Sequence, residues 1–183
     1  MTPPAAPPER PAALVIRDAR PDEHAALGRL MTEVYAGLDG FPGPAEQPAY
    51  YALLADVGRL AAEPDTRLLV AARGGELAGG VVYIGDLARY GAGGAATRVP
   101  AASGFRLLAV RPAARGAGVG RALATRCIEL ARARGHREVV LHTTRAMTVA
   151  WGMYERLGFA RAPELDFVQG ELPVFGFRLD LRA

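Results

Sequence analysis

The stretch GFRLLAVRPAARGAGVGRALATRCIELARARG, residues 104–135, decides how this chain folds. Its first part, 105–110, is mostly apolar on both faces, which predicts an interior strand covered on both sides. Pro112 ends the strand, and a glycine-rich turn then leads into a helix. A turn of this kind aims the backbone N–H groups of the helix start at an anion.

The glycines Gly116, Gly118 and Gly120 alternate where this helix must begin. Glycine within a helix start costs up to about 1 kcal/mol relative to alanine, so a compensating interaction is expected. A phosphate group held by the N–H groups of residues 115–120 would supply that interaction. The alternative is a tight turn without a ligand.

Two common phosphate-binding motifs are absent from the turn, and their absence limits which phosphate ligand it could bind. The dinucleotide fingerprint Gly-x-Gly-x-x-Gly fails, because the positions that require glycine hold Arg121 and Leu123. The chain contains no lysine, which excludes a phosphate loop ending in Gly-Lys-Ser/Thr and every Schiff-base mechanism. The sequence therefore disfavours a nicotinamide or flavin enzyme.

Composition sets the class of protein. The 183 residues suffice for one domain with a substantial core. All 22 basic residues are arginines mixed with acids along the chain, so the net charge of +3 indicates no nucleic-acid partner.

No apolar run reaches the ~20 residues of a membrane span, and no signal peptide is recognisable, so we expect a cytoplasmic protein. The single cysteine, Cys127, excludes an internal disulfide and a Cys-cluster zinc site and is expected in the core.

Hydrophobic periodicity places the remaining elements around residues 104–135. Proline-rich residues 1–13 are predicted to be a disordered tail, followed by one domain over 14–183. A long connection at 85–103 is expected to be mobile. The predicted strands are 14–17, 67–72, 77–84, 105–110, 138–141, 159–161, 167–169 and 174–181, and the predicted helices follow Pro21, span 49–62, follow Gly120 and span 147–157.

Two blocks of the sequence resemble the GNAT superfamily of acetyl-CoA-dependent N-acetyltransferases. In LLAVRPAARGAGVGRAL, Arg115, Gly118 and Gly120 match the family motif Gln/Arg-x-x-Gly-x-Gly/Ala. In the second block, Ala150 and Tyr154 precede Leu-Gly-Phe at 157–159, as in the family. One position departs from the pattern: the family often has asparagine seven residues before the tyrosine, where this chain has Met147.

The resemblance implies a fold and a cosubstrate site. The fold would be a single α/β (α+β) domain with a mixed, mostly antiparallel central sheet, about four flanking helices and a splayed strand pair at the cofactor site. Acetyl-CoA would be the cosubstrate, and no metal is implied. The residues expected to bind acetyl-CoA are Leu108, Ala109, Val110, Arg115, Gly116, Ala117, Gly118, Val119, Gly120 and Arg121.

The resemblance also suggests how acetyl transfer is catalysed. Tyr154 is the candidate general acid for the coenzyme A thiolate; the alternative is that it only packs beside Trp151. The glutamate that many relatives carry before the cofactor turn is absent. His142 is a candidate base, although it could also be a satisfied polar residue at a strand end. Glu33, Glu46 and Asp86 could act through a water, and an amine that deprotonates in solution needs no base.

The implied reaction is direct transfer of acetyl to a primary amine of a small molecule, peptide or protein. The acceptor is expected between residues 35–51 and 85–103, where Tyr35, Glu46 and Asp86 are candidate contacts. Asp39, Glu46 and Asp86 could attract a cationic amine there, although loop acids of this kind are more often only solvated. A non-catalytic acyl-CoA-binding or sensor module is the alternative function. The oligomeric state is open, with a homodimer among the options.

Overall fold

The computed structural model describes residues 12–182, in which a mixed sheet separates two pairs of helices. The predicted tail at 1–13 lies outside the described residues, apart from the exposed Ala12 and Ala13. The strands are β1 (Leu14–Asp18), β2 (Thr66–Arg73), β3 (Glu76–Ile84), β4 (Ala102–Val110), β5 (Glu138–Thr143), β6 (Ala160–Arg161), β7 (Phe167–Gln169) and β8 (Leu172–Asp180). The helices are α1 (His24–Ala36), α2 (Pro48–Ala55), α3 (Val119–Ala133) and α4 (Thr148–Arg156).

The sheet follows the order β1-β2-β3-β4-β5-β8-β6, and β7 also pairs with β8. Every pair is antiparallel except β4 with β5, which are parallel and connected through α3. A parallel pair needs a crossover connection, because the chain must return to the same end of the sheet. The helix that begins at the glycine turn is that crossover, and the predicted mixed sheet is confirmed.

The pairing of β4 with β5 stops early. Only Ala102, Ser103 and Gly104 pair with β5, although β4 runs on to Val110. The register between β3 and β4 also shifts at this level, so that two residues of β4 face one residue of β3. Leu107 lies in this bulge with φ +56°, a left-handed conformation that is costly for leucine. The two central strands therefore part, as the predicted splayed pair required.

Side-chain alternation along the strands gives each sheet face its own core. On β2, Leu68 and Val70 pack toward α1 and α2, while Leu69 and Ala71 pack toward α3 and α4. Leu27, Leu30, Met31 and Val34 of α1 are buried against the first of these faces. The predicted second helix at 49–62 is too long: α2 ends at Ala55 and a 3-10 turn covers Val57–Ala62. Gly58 contributes to the break, because it disfavours helix and packs directly on His24.

The connection before β4 packs against the sheet rather than extending into solvent. Leu87, Tyr90 and Ala96 are at most 1% exposed. Tyr90 fits because Gly104 has no side chain; a Cβ there would lie 2.6 Å from the Tyr90 ring. This contact also lets β4 begin at Ala102, three residues before the predicted start. The connection thereby becomes one wall of the site described next.

Candidate active site

A cavity of about 580 Å³ opens where β4 and β5 part. One end reaches the glycine turn before α3, and the other reaches the loop between α1 and α2. The first turns of α4 form one side, and the connection that carries Tyr90 forms another. The cavity therefore joins the predicted cofactor turn to the predicted acceptor region.

The glycine turn forms a cradle of free backbone donors. Gly116 and Gly118 have φ of +75° and +78°, and a Cβ on either would point into open space. Among residues 12–182, no backbone N–H from 116 to 121 donates to another residue of the chain. These N–H groups lie at the positive end of the α3 dipole. Such an arrangement is suited to a phosphate group.

The predicted cofactor residues divide into those that face the cavity and those that do not. Ala109 is buried in the core under α1, Ala117 is exposed away from the cavity, and Arg121 lines a separate surface depression. Arg156, which the sequence analysis missed, lines the cavity from the end of α4. The predicted residues that line the cavity are Leu108, Val110, Arg115, Gly116, Gly118, Val119 and Gly120.

The edge of β4 faces the cavity without a strand partner from Phe105 onward. Leu108 and Val110 line the cavity beyond the bulge at Leu107. Unpaired backbone groups on this edge can hydrogen-bond to an extended ligand in the way another strand would. The edge leads directly to the glycine turn, so one ligand can contact both.

Tyr154 lines the cavity from α4 and is 5% exposed. Its ring packs edge-on against Phe105 and Phe159, with centroids 5.9 Å away in each case. The expected packing partner Trp151 instead contacts Phe175 and Phe177. Burial raises the pKa of Tyr154, so its hydroxyl keeps its proton across the physiological range.

His142 projects into the cavity from β5 with both ring nitrogens engaged. Nε2 lies 2.9 Å from the carbonyl oxygen of Leu165, which can only accept, so Nε2 carries the hydrogen. Nδ1 is then an acceptor and lies 3.3 Å from the hydroxyl of Tyr90, which also donates to the carbonyl oxygen of Phe105 at 3.3 Å. Burial lowers the pKa of His142, which keeps the imidazole neutral near pH 7. This arrangement fits a satisfied polar residue and also leaves a neutral acceptor at Nδ1.

Aromatic side chains dominate the acceptor end of the cavity. Tyr35 lines it and packs edge-on against Phe41 and Tyr50, with ring centroids 5.5 and 5.8 Å away. The other two candidate acceptor contacts do not line the cavity: Glu46 accepts a hydrogen bond from the Gly43 N–H, and Asp86 accepts one from the Ala88 N–H. Both carboxylates stabilise local turns.

Other predicted features can be placed as well. Cys127 is fully buried, and burial raises the pKa of its thiol, in agreement with a core role. Within residues 12–182, no group of three or more His, Cys, Asp and Glu side chains could hold a metal ion. No helix of the described range is both long and apolar enough to span a bilayer.

Comparison with known families identifies the architecture. The profile of the acetyltransferase (GNAT) family matches residues 31–159, which include the glycine turn, β4, β5 and α4. The chain belongs to this family. No curated protein matches the sequence of this GNAT family member significantly.

Solved structures share the fold of this GNAT protein. A GCN5-related N-acetyltransferase from Kribbella flavida is 24% identical with a TM-score of 0.67, over 92% of this chain and 98% of its own. The paiA N-acetyltransferase of Thermoplasma acidophilum, in complex with coenzyme A, is 14% identical with a TM-score of 0.68, over 90% and 98%. yncA from Salmonella typhimurium, with its cofactor acetyl-CoA, is 20% identical with a TM-score of 0.63, over 92% and 94%.

Sequence reasoning missed several residues of the site. Tyr90 lies in a Gly-rich connection without periodicity, so no pattern indicated its burial. Arg106 also lines the cavity, and it lies on the strand where the glutamate of many relatives is absent. The hydroxyl of Thr144 is buried against the same cavity and has no hydrogen-bond partner among the described residues. A polar residue directly after a strand was the only available signal for it.

Proposed function

We propose that this GNAT protein is an N-acetyltransferase that transfers the acetyl group of acetyl-CoA directly to a primary amine. The observation that carries the proposal is the row of free N–H groups at residues 116–121, at the end of a strand that leaves its neighbour inside one cavity. Fold neighbours that contain acetyl-CoA or coenzyme A support the choice of cosubstrate.

The cavity fits the parts of acetyl-CoA in order. The N–H groups of residues 116–121 would hold the pyrophosphate, in the space that a Cβ on Gly118 would occupy. Arg115 and Arg156, both lining this end, would add charge-assisted contacts. The unpaired edge of β4 would hydrogen-bond to the pantetheine arm as a strand does. Acetyl-CoA supplies the acetyl group as an activated thioester.

The backbone of β4 would polarise the reacting carbonyl. Its N–H groups beyond Phe105 have no partner on β5, and the bulge at Leu107 changes the direction of those that follow. Donors fixed in a cavity from which water is excluded stabilise a developing oxyanion at little reorganisation cost. In this proposal, the strained conformation of Leu107 serves to turn the following N–H groups toward the reacting carbonyl.

Tyr154 would act as the general acid for the leaving sulfur. Tyr154 lines the cavity beside Leu108, on the β4 edge proposed to bind the pantetheine arm. A phenol with a raised pKa is a weaker acid than a simple thiol, so complete proton transfer ahead of bond cleavage is unfavourable. Tyr154 would instead donate a hydrogen bond that strengthens as the sulfur gains charge, and the proton would follow.

The pair of Tyr90 and His142 would receive the proton from the amine. Nδ1 of His142 is the free acceptor, and the Tyr90 hydroxyl stands 3.3 Å from it. As the Tyr90 oxygen takes the proton of the amine, its own hydroxyl proton would pass to Nδ1 of His142 in the same step. The hydroxyl would first turn away from the carbonyl oxygen of Phe105, to which it donates at 3.3 Å. Direct transfer needs no nucleophile from the chain, and the buried thiol of Cys127 supports that order of events.

Release of free thiol from acetyl-CoA tests the proposal. The full chain is incubated with acetyl-CoA and a panel of amines, amino acids and peptides, and free thiol is measured against time. Acceptor-dependent release together with mass-spectrometric detection of the N-acetyl product is expected. Tight binding of coenzyme A with no acceptor-dependent release across the panel would instead favour the sensor module.

A further inference from the structure

The acceptor end of the cavity contains a single cation among the described residues. Arg106 lies on β4 directly after Phe105, and its side chain points to the face opposite the Phe105 ring. It is half-buried, lines the cavity and donates one hydrogen bond, 3.1 Å long, to the carbonyl oxygen of Tyr90. The remaining guanidinium donors have no hydrogen-bond partner in the described chain.

No carboxylate neutralises this guanidinium. Arg106 takes part in no ion pair among residues 12–182. Asp39 is the only carboxylate that lines the cavity in that range, and it is exposed at the mouth. The guanidinium therefore keeps donors available for a ligand anion, with which it can form charge-assisted hydrogen bonds.

The charge of Arg106 is directed at the aromatic part of the cavity. Burial raises the pKa of Tyr50 to about 12, and the positive charge of Arg106 opposes that rise. The same charge also opposes the effect of burial on the pKa of Tyr35 and of Tyr90. Arg106 therefore lies close to three aromatic side chains that could enclose an apolar group.

The hydroxyl of Thr144 is a second donor in the same cavity. Thr144 is 3% exposed, and its Oγ1 atom is buried without a hydrogen-bond partner in the described chain. A hydroxyl can donate to a carboxylate, and an unpartnered buried one costs free energy until it does. Arg106 and Thr144 both line this cavity and can both donate hydrogen bonds to an anion.

From these contacts we propose that the acceptor is a small apolar or aromatic α-amino acid whose free carboxylate is bound by Arg106. The inference rests on the proposed function and specifies its substrate class. Arg106 precedes Leu108 by two residues, so their Cα atoms lie within about 7 Å, given the rise of a strand. A carboxylate on Arg106 thereby places an adjacent amine near the strand edge where the thioester carbonyl would lie.

Matched acceptors test this assignment without any substitution. Phenylalanine is compared with phenylalaninamide, and leucine with leucinamide, by thiol release from acetyl-CoA at fixed ionic strength. Each pair shares the amine and the side chain, and the amide's amine is the less basic, which favours the amide. We expect kcat/KM for the free acid to exceed that for the amide about 10- to 100-fold, because a charge-assisted pair is lost in the amide.

Two variants assign the preference to Arg106. In Arg106→Gln the ratio of kcat/KM between acid and amide should fall to about 1, and in Arg106→Lys it should recover in part. Arg132→Gln, at an exposed position of α3 outside the cavity, is the control and should keep the wild-type ratio. Melting temperatures of all three show whether each variant is folded.

The outcomes separate this inference from the proposed function. A wild-type ratio near 1, or release only with peptides or carboxylate-free amines, overturns the inference and leaves the acetyltransferase proposal standing. A ratio that survives in folded Arg106→Gln also overturns it. Absence of release with every acceptor refutes the proposed function, and the inference fails with it.

Discussion

Replacing Gly118 by alanine tests the phosphate cradle directly. Gly118 precedes α3 with φ +78°, and a Cβ would enter the open space above the free N–H groups. An alanine in this conformation should cost about 1 kcal/mol of unfolding free energy. For a chain of this size that lowers the melting temperature by about 2–4 °C. The Cβ should also displace a bound phosphate from its donors.

The expected loss of affinity follows from the contacts removed. Hydrogen bonds from the cradle to a charged phosphate contribute about 1.5–3 kcal/mol, so the Kd for coenzyme A should rise about 10- to 100-fold. Isothermal titration calorimetry with coenzyme A at constant ionic strength measures this change. The ionic strength is fixed because arginine contacts with phosphate weaken in salt.

Gly135 supplies a matched control at the other end of the same helix. It has φ +71°, is exposed, and has no atom within 4 Å of an added Cβ. Gly135→Ala should lower the melting temperature by a similar amount and leave the Kd for coenzyme A unchanged. Equal affinity in both variants would refute the assignment of the cradle to phosphate, because strain alone would then account for Gly118.

Two further predictions concern the proposed general acid and the dependence of stability on pH. Tyr154→Phe should lower kcat at least about 10-fold and leave the Kd for coenzyme A within about twofold, in contrast to Tyr83→Phe outside the cavity; unchanged turnover removes Tyr154 from the mechanism. Burial lowers the pKa of His136 and of His142, so the unfolded chain takes up these protons at a higher pH than the folded chain does, and stability is lost as the pH falls through about 6.5. The melting temperature should therefore fall between pH 7.5 and pH 5, and a flat or rising curve contradicts this. The stabilisation from Glu23, whose pKa is lowered to about 2 chiefly by its hydrogen bond with Arg17, is present throughout that range and is lost only as the pH falls below about 4.5.

The sequence predicted those parts of the site that depend on local pattern. An apolar run, a proline, alternating glycines and an amphipathic helix follow one another within residues 104–135, and each is a short-range signal. These signals predict the turn at Gly116 and Gly118, which lies at one end of the cavity. The family blocks supplied Tyr154, whose proposed role stays a prediction.

Features that depend on distant packing could not be predicted in this way. The bulge at Leu107 lies within an apolar run, and no residue type in that run indicates a bulge. Tyr90 becomes buried only because Gly104 leaves room on another strand. The acidic residues Asp86 and Glu46 were poor indicators of the acceptor site. Both lie in the loops where the acceptor was expected, but each carboxylate accepts a hydrogen bond from its own turn.

The parting of β4 and β5 gives the sheet an open edge in its interior rather than at its border. Exposed edges can pair with other chains, but this edge lines a cavity of about 580 Å³ inside the fold. A slender arm such as pantetheine can enter and, in the proposed function, serves as a temporary strand. Folding and cosubstrate binding are then linked by mass action, so the supply of acetyl-CoA would govern how long the protein survives as well as how fast it works.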